Sequence, residues 1–453
     1  MKERWKEIQK GFRLFSLSLR EFIDKHILFL LILVVTGLSL TVRYMSALFP
    51  TNDMCGYILN GWMADIEKVG FGNFYTVDSD YSPLYLFMIA VISLLPKGEL
   101  VQINGYSFYQ NWMYYLKSVY FLMDILIAVG MFLIALHVTK SKGKATIAYM
   151  VFLILPVQFT NSALWGNCDS MYFACFVYCL YFLLKRKDHL VWLFFGLALS
   201  LKMQAVFISP LLVYLTLSRR LKFYPIYMVA VVLLISFLPS YICGASFLEP
   251  FGYFSKQMNG YPNLTLGCAN MWHLFGVSNM DSSSLGFNQA STYIGLLMIG
   301  VFMAILYLRK IRLTDENLIY VSIFLIGIVP FFLPHMHERY FYALDVLVVL
   351  YAIFNKKRFF LVFLMQVSSG IAYYHYMTGF SKYFIDVLGE DSVSIAALIN
   401  LFVLALMFYD LMRLPHKTRK EDLDEIKKEK ERISRVDILT DSLISEEDEK
   451  TEE

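Results

Sequence analysis

The sequence has few charged residues and few cysteines for its length. Charged side chains make up 17% of the 453 residues, and the six cysteines are scattered without the spacing of a metal site. Cys175 and Cys179 lie one helical turn apart in an apolar run and are interpreted as packing residues. The basic residues occur in small clusters rather than on one face, so nucleic acid is not an expected partner.

Apolar and aromatic residues are abundant instead. Hydrophobic residues make up 58% of the chain and aromatic residues 17%, and the mean hydropathy is +0.54. No soluble core accommodates so much apolar surface, so the chain is predicted to be an integral membrane protein in contact with lipids. Its many Tyr and Trp residues are typical of the interface between membrane and water.

The apolar runs predict an all-α polytopic membrane protein with about 12 transmembrane helices. Residues 1–26 are predicted to form a cytoplasmic amphipathic basic segment and 27–412 a transmembrane domain. Residues 413–453 are predicted to form a charged cytoplasmic tail, with a solvated helix over 420–435 and a disordered acidic end over 446–453. The predicted spans are 27–48, 113–138, 145–163, 169–184, 189–202, 204–217, 223–243, 291–309, 317–334, 340–354, 359–377 and 393–412.

The basic clusters decide the predicted orientation. The run 83–96 has 14 residues between two prolines, which is too short to cross a hydrocarbon core of about 30 Å comfortably. If it stays in the outer leaflet as a re-entrant or interfacial helix, the cluster 140–144 and every later basic cluster face the cytoplasm. Both termini are then cytoplasmic, and the loops 49–112 and 244–290 lie outside.

The first outer loop is predicted to be structured. Asp53 stands only a few residues beyond the first span, and apolar residues recur at helical spacing over 57–69. This pattern predicts a helix that lies in the headgroup layer, with Trp62 as its anchor. The short spans 189–202 and 204–217 predict a turn at 201–204 within the outer half of the membrane.

Polar side chains near the lipid are costly, and in a membrane protein they are functional candidates by default. Here they collect on the predicted outer side. The candidates are Asp53, Asp80, Tyr81, Trp165, Asn167, Asp169, Lys202, Gln204, His335, His337 and Arg339, with Arg43 about one turn inside the first span.

Plainer alternatives stay open for the charged candidates. Asp53 and Asp80 also fit helix N-caps or solvated loop acids, and Asp169 fits an N-cap because an apolar run follows it. Lys202 and Arg339 also fit cations that snorkel to lipid headgroups.

Structural roles also remain possible for several charged residues within or next to the predicted spans. Arg43, Lys117 and Asp124 fit ion pairs between spans. The segment 335–338 holds two histidines and a glutamate, but their spacing in a short loop is poor for metal binding, so no metal is expected.

The order of these motifs resembles that of the polyprenyl-phosphate-dependent glycosyltransferases of the GT-C superfamily. The chain looks most similar to bacterial relatives of the eukaryotic GPI-anchor mannosyltransferases, over about residues 27–350. The segments that carry the resemblance are Asp53, Tyr-Ser-Pro-Leu-Tyr at 81–85, Trp-Gly-Asn-Cys-Asp-Ser at 165–170, Ser-Leu-Lys-Met-Gln at 200–204 and His-Met-His-Glu-Arg-Tyr at 335–340. The chain departs from the family pattern at Asn167, where glutamine is usual, and at Ser82, where a second proline is common.

The resemblance implies a GT-C-like fold in the cell membrane with the active site facing outside. A sugar would pass from a polyprenyl-phosphate carrier to an extracytoplasmic glycan or glycolipid acceptor with inversion, and no cofactor is expected. Asp53 would be the general base. Asp80, Tyr81, Trp165, Asn167 and Asp169 would bind the acceptor or the sugar. Lys202, Gln204, His335, His337, Arg339 and Arg43 would bind the lipid phosphate.

Two other function classes remain as alternatives. A lipid-linked polysaccharide polymerase or ligase would depend on arginines and histidines in one large outer loop, whereas 244–290 offers only Lys256 and His273. A transporter or flippase should show internal repeats and broken helices in matching halves, and no such symmetry is seen. The lack of a phosphate-cradling glycine motif and of a sizeable cytosolic domain disfavours a nucleotide-sugar donor.

Overall fold

The computed structural model describes residues 2–259, 263–277, 287–377, 392–418 and 421. Within them the chain is mainly helical, and its strands form two short pairs. The long helices are α1 (Lys2–Met45), α5 (Gln110–Thr139), α6 (Lys142–Ile154), α8 (Asp169–Leu184), α9 (Asp188–Leu201), α11 (Tyr227–Ile242), α14 (Phe287–Arg309), α15 (Asp315–Phe332), α16 (Tyr342–Phe354), α17 (Phe360–Tyr376) and α18 (Ser392–Met412). The shorter helices are α2 (Asn52–Met63), α3 (Ala64–Val69), α4 (Pro83–Ser93), α7 (Pro156–Phe159), α10 (Ser209–Leu217), α12 (Gly252–Asn259) and α13 (Met271–Leu274).

The structure shows an all-α membrane protein. Six helices in the described residues are long and apolar enough to cross a bilayer, and a seventh is added when α6 and the bent segment Pro156–Trp165 count as one span. Each predicted span coincides with a helix, but α8, α9, α16 and the pair Met203–Leu217 are shorter than a full crossing. The 16 residues of α8 rise about 24 Å, against a core of about 30 Å. The count of about twelve spans therefore stays a prediction.

The N-terminal region is one continuous helix. No break separates residues 1–26 from the apolar run, and α1 extends from Lys2 to Met45 because no proline interrupts it. Only 11% of its apolar window is buried inside the protein, whereas 89% of the corresponding window of α15 is buried. Helix α15 is thus central in the bundle and α1 peripheral.

The first outer loop folds against the bundle. Thr51 caps α2 by accepting a hydrogen bond from the backbone of Met54, and α2 continues into α3, which confirms the predicted helix. Trp62 is only 9% exposed and packs on Tyr81 and Tyr85, with ring centroids 5.0 and 6.5 Å apart. The prediction that Trp62 anchors this helix in the headgroups is wrong, because α4 covers its apolar face.

A hairpin completes this loop. Strands β1 (Leu100–Ile103) and β2 (Tyr106–Tyr109) pair antiparallel around Asn104 and Gly105, which have φ of 50° and 83°. Asn-Gly is the usual pair for a two-residue turn with positive φ at both positions. The buried Phe108 attaches the hairpin to the apolar cluster beneath α2.

Two breaks between helices and one strand pair bring the outer segments together. Gly166, with φ of 75°, turns the chain between Pro156–Trp165 and α8, and a Cβ there would lie 2.5 Å from Met54 and 2.8 Å from Lys117. Lys202 has an extended backbone between α9 and the helical turn Met203–Ile208, which confirms that the helix breaks at 201–204; the position of this break in the outer half of the membrane stays a prediction. Strand β3 (Thr265–Leu266) pairs in parallel with β4 (Met336–His337), so the long outer loop is attached to the segment 335–340.

The predicted tail helix over 420–435 and the acidic end over 446–453 lie outside the described residues, apart from Glu421.

Candidate functional site

Trp165 joins two predicted site residues. Its indole Nε1 donates a 2.9 Å hydrogen bond to Asp53 Oδ2, and the guanidinium carbon of Arg339 lies 5.5 Å from its ring centroid. The hydroxyl of Tyr376 donates to Asp53 Oδ1 at 3.2 Å, and its ring stacks on Trp165 at 5.2 Å. Thr51 donates to the backbone carbonyl of Trp165 at 2.8 Å. The carboxylate of Asp53 is therefore held in one orientation while staying half-buried.

Lys202 and Asp169 form a buried ion pair. Lys202 Nζ lies 2.6 Å from Asp169 Oδ1 and 3.2 Å from Asn167 Oδ1, and it stands 5.3 Å from the ring centroid of Tyr81. Asp169 Oδ2 accepts a 2.9 Å hydrogen bond from Asn161. Lys202 is thus paired inside the protein rather than extended to the headgroups. Asp169 does not cap α8, because the N-cap position is occupied by the preceding residue.

The segment 335–340 supplies a second cation. Arg339 is bonded to Glu338, and its Nε lies 3.8 Å from Asp169 Oδ2. That Nε is buried and has no hydrogen bond within the described residues. His337 Nδ1 lies 3.6 Å from Glu338 Oε2. Burial, and then the charge of Arg339, lower the pKa of His337 below 6.5, so this imidazole is neutral at pH 7.

Gln204 and His335, two of the predicted phosphate ligands, form hydrogen bonds with other parts of the protein. The amide of Gln204 donates to the hydroxyl of Tyr340 at 2.5 Å. His335 has φ of 61°, and its Nδ1 lies 2.8 Å from the carbonyl oxygen of Asn263. Its backbone N–H also bonds the carbonyl of Leu264, so His335 is tied to the long outer loop.

Asp80 is the fourth acidic group near these cations. Its carboxylate bonds to its own backbone N–H and forms no ion pair with a described cation, while its backbone carbonyl accepts from Gln257 at 2.7 Å. Burial raises the pKa of Asp80 above 3.8, and Lys202, Arg339 and His337 counteract only part of that rise. Asp80 therefore keeps its proton to a higher pH than a solvated aspartate does.

Arg43 does not join this cluster. Its Nε lies 3.2 Å from Asp124 Oδ2, and its NH2 donates to Gln158 at 2.5 Å. Both charged residues are buried, so Arg43 and Asp124 form a structural ion pair between helices. Arg43 is therefore not placed to bind the same phosphate as Lys202. Lys117 is not part of that pair, since its Nζ donates to the backbone carbonyls of Phe49, Ala163 and Leu164.

Three site residues escaped the sequence analysis. Asn161 binds both Asp169 and the hydroxyl of Tyr373, and Tyr376 binds Asp53. Asn161 carried a usable signal, because it is an amide inside a predicted span. Tyr373 and Tyr376 carried none, because tyrosines near a helix end are usual at a membrane interface.

The site contains more acidic than basic side chains. Among the described residues, Asp53, Asp80, Asp169 and Glu338 lie near two permanent cations, Lys202 and Arg339. Both cations already have carboxylate partners. An incoming phosphate would share these cations rather than find them unoccupied. In the described part of the chain no group of three or more His, Cys, Asp or Glu side chains is arranged to hold a metal ion.

No protein-family model matches the chain, and no curated protein matches it either. Its chemistry therefore has to be inferred from the arrangement of the side chains described above.

Proposed function

We propose that the chain is a membrane glycosyltransferase that moves a sugar from a polyprenyl-phosphate carrier to an extracytoplasmic glycan or glycolipid. The observation that carries the proposal is the position of Trp165. One indole ring holds the carboxylate of Asp53 at its edge and the guanidinium of Arg339 over its face. A proton acceptor and a phosphate-binding cation are thereby held at a fixed separation, as a displacement at an anomeric carbon requires.

Asp53 acts as the general base in this proposal. The acceptor hydroxyl oxygen attacks the anomeric carbon while its proton passes to Asp53. The bond between that carbon and the phosphate oxygen breaks, and the phosphate keeps the electron pair. One such displacement inverts the configuration at the anomeric carbon. Asp80 is the rival base, because its raised pKa makes its carboxylate a stronger proton acceptor than a solvated aspartate.

Lys202 and Arg339 stabilise the leaving phosphate. Charge-assisted hydrogen bonds from preorganised cations are most effective in a poorly hydrated site, and both side chains are buried. The unbonded Nε of Arg339 provides a donor that a phosphate oxygen can accept from without displacing Glu338.

The helix directions support a site on the outer face of a GT-C-like bundle of about twelve spans. Helix α8 begins at Asp169 and is followed by the basic cluster 185–187. Helix α16 follows the segment 335–340 and precedes the basic cluster Lys356–Arg358. Basic clusters favour the cytoplasmic side, so the opposite helix ends, with the charged site, would face outside the cell membrane.

A binding experiment tests the proposal. Purified protein is mixed with a panel of polyprenyl-phosphate sugars, and thermal unfolding is recorded with each, with the matching polyprenol as the control that lacks phosphate and sugar. At least one sugar-bearing lipid should raise the unfolding temperature and be consumed when acceptor glycans are added. If the polyprenol stabilises the protein as well as every phosphate-bearing lipid does, the proposal is wrong.

A paired variant isolates the phosphate contact. Lys202→Gln with Asp169→Asn removes both charges together, so that no buried carboxylate is left without a cation. Donor affinity should fall roughly ten- to a hundredfold, because charge-assisted hydrogen bonds are worth about 1.5–3 kcal/mol. Unchanged affinity in the folded double variant would show that Lys202 only stabilises the structure.

A further inference from the structure

A cleft lies beside the Tyr81 segment, and Lys202 is not among the residues that line it. It has a volume of about 220 Å³ and separates the first outer loop from the end of α11 and the start of the long outer loop. Its walls include Tyr75, Ser79 and Tyr81 on one side and Ser240 and Tyr253 on the other. The volume far exceeds what one water needs, about 15 Å³, yet it is below the roughly 300–1,000 Å³ of sites that enclose drug-sized ligands. The space suits one small ring.

Two buried hydroxyl groups in this cleft have unused hydrogen-bonding capacity. Ser240 is 1% exposed and Ser79 is 7% exposed, and they stand on opposite walls. The backbone carbonyl of Ser240 accepts from the N–H of Ala245 at 3.0 Å, whereas its hydroxyl forms no hydrogen bond with the described residues. Ser79 accepts from the backbone N–H of Tyr81 at 3.0 Å, and its own hydroxyl proton has no acceptor among the described residues. Buried polar groups are normally bonded, so these two point to a polar ligand.

The charges at the rim favour a neutral ligand. Lys256 is bonded to Asp78 at 2.6 Å across the mouth of the cleft, which neutralises both groups. Glu249 also lines the cleft, so the rim has a net negative charge and repels anions. The aromatic rings of Tyr75, Tyr81 and Tyr253 offer flat apolar surface beside the hydroxyls. A sugar ring, with hydroxyl groups at its edge and C–H groups on its faces, matches this combination.

The cleft is connected to the charged site through a few residues. Tyr81 lines the cleft, and its ring centroid lies 5.3 Å from Lys202 Nζ. The charges of Lys202 and Arg339 also act on the neighbouring Asp80, whose pKa they lower. The wall is held in place from the other side, since Gln257 donates to the carbonyl of Asp80 and Tyr253 donates to the carbonyl of Leu199. A ring in the cleft therefore sits beside the reaction site but outside its charged part.

We infer that this cleft is a subsite for a neutral saccharide ring of the acceptor, recognised through the hydroxyls of Ser240 and Ser79. Taking that ring to be part of the acceptor rests on the proposed function, whereas the binding of a neutral sugar ring does not. The acidic rim excludes the donor phosphate from this cleft, and the phosphate binds at Lys202 and Arg339 instead.

Ser240 provides the test, with Ser236 as its matched control. Ser236 lies one turn earlier on α11, is buried as well, and does not line the cleft. Ser240→Val narrows the cleft as well as removing the hydroxyl, and Ser240→Ala removes only the hydroxyl. Binding of methyl glucoside, methyl galactoside and methyl mannoside to the protein in lipid nanodiscs is followed by saturation-transfer NMR, with inorganic phosphate as the anionic comparison.

At least one glycoside should give a signal with the parent protein, and phosphate should not compete for it. Ser240→Ala should weaken binding about three- to tenfold, as expected for one neutral hydrogen bond, Ser240→Val should abolish it, and Ser236→Val should leave it unchanged. The inference is overturned if the parent protein binds no glycoside, or if Ser240→Val binds like the parent.

A transfer assay separates this inference from the proposed function. If sugar transfer occurs and Ser240→Val leaves the KM for the acceptor unchanged, the proposed function stands and the subsite is wrong. If glycosides bind and Ser240→Val removes them although no polyprenyl-phosphate sugar is consumed, the subsite stands and the transferase proposal falls.

Discussion

Replacing Asp53 by asparagine removes a proton acceptor while changing the shape of the site very little. In the parent, Oδ2 accepts from Trp165 Nε1 at 2.9 Å and Oδ1 accepts from the Tyr376 hydroxyl at 3.2 Å. The indole can only donate, so the asparagine oxygen must face Trp165. The asparagine amide then faces the Tyr376 hydroxyl, which can accept as well as donate. One amide orientation therefore satisfies both neighbours.

Asp53→Asn is expected to reduce the stability of the protein only slightly but to reduce turnover strongly. Exchanging charge-assisted hydrogen bonds for neutral ones costs about 1 kcal/mol, and Asp53 is half-buried, so the variant should fold. Asparagine cannot take the proton of the acceptor hydroxyl, and loss of a positioned general base typically lowers turnover by about 10²-fold or more. Donor affinity should stay close to that of the parent, because Lys202 and Arg339 are untouched.

The assay measures turnover and donor binding on the same preparations of Asp53→Asn, Asp80→Asn and the parent. Asp80→Asn is the matched control, since it too exchanges a half-buried carboxylate of the first loop for an amide. The reasoning is refuted if Asp53→Asn turns over normally while Asp80→Asn is inactive, which would make Asp80 the base. Full activity in both variants would remove the support for a carboxylate base in this loop.

Three further predictions concern stability and topology. Arg43→Met should destabilise the protein by about 3–5 kcal/mol, because it leaves Asp124 buried without its partner, and Arg43→Met with Asp124→Leu should recover most of that loss in thermal unfolding. Burial raises the pKa of Asp80, so the stability that its proton contributes is complete below pH 3.8 and is lost as the pH rises through the raised value. Asp80→Asn should accordingly be at least as stable as the parent near pH 8, and the advantage should shrink toward about pH 4; an advantage that grows on acidification would contradict this sign. A cysteine at the exposed Thr76 should react with an impermeant thiol reagent in intact cells and one at the exposed Lys142 should not, whereas labelling of both would mean that α4 crosses the membrane.

The helices were predictable because membrane helices need long apolar runs, and such runs are visible without any knowledge of packing. What covers a helix is not visible in the same way. The apolar spacing over 57–69 predicted a helix, but whether Trp62 faces lipid or protein depends on α4, which approaches from later in the chain. The hairpin at 100–109 has a local signal, since Asn104–Gly105 is the residue pair that favours a two-residue turn.

The sequence allowed the residues of the charged site to be predicted, but not which of them pair with each other. Lys202, Asp169 and Arg339 stood out as charges next to apolar runs, and the structure brings them together. Which carboxylate each cation binds depends on how α8, α9 and the segment 335–340 pack, and no local pattern contains that information. Arg43 is the clearest example. A cation one turn inside a span can face a functional site or another helix, and Arg43 pairs with Asp124 on another helix.

The central claim is tested most directly by the products formed from a polyprenyl-phosphate sugar and an acceptor glycan. Purified protein in nanodiscs is incubated with both, and the lipid and glycan products are quantified by mass spectrometry. One polyprenyl phosphate should be released for each sugar added to the acceptor, and Asp53→Asn should abolish both products together. Recovery of the donor intact, with its sugar still attached, from folded protein and across the whole panel of donors and acceptors would contradict the claim.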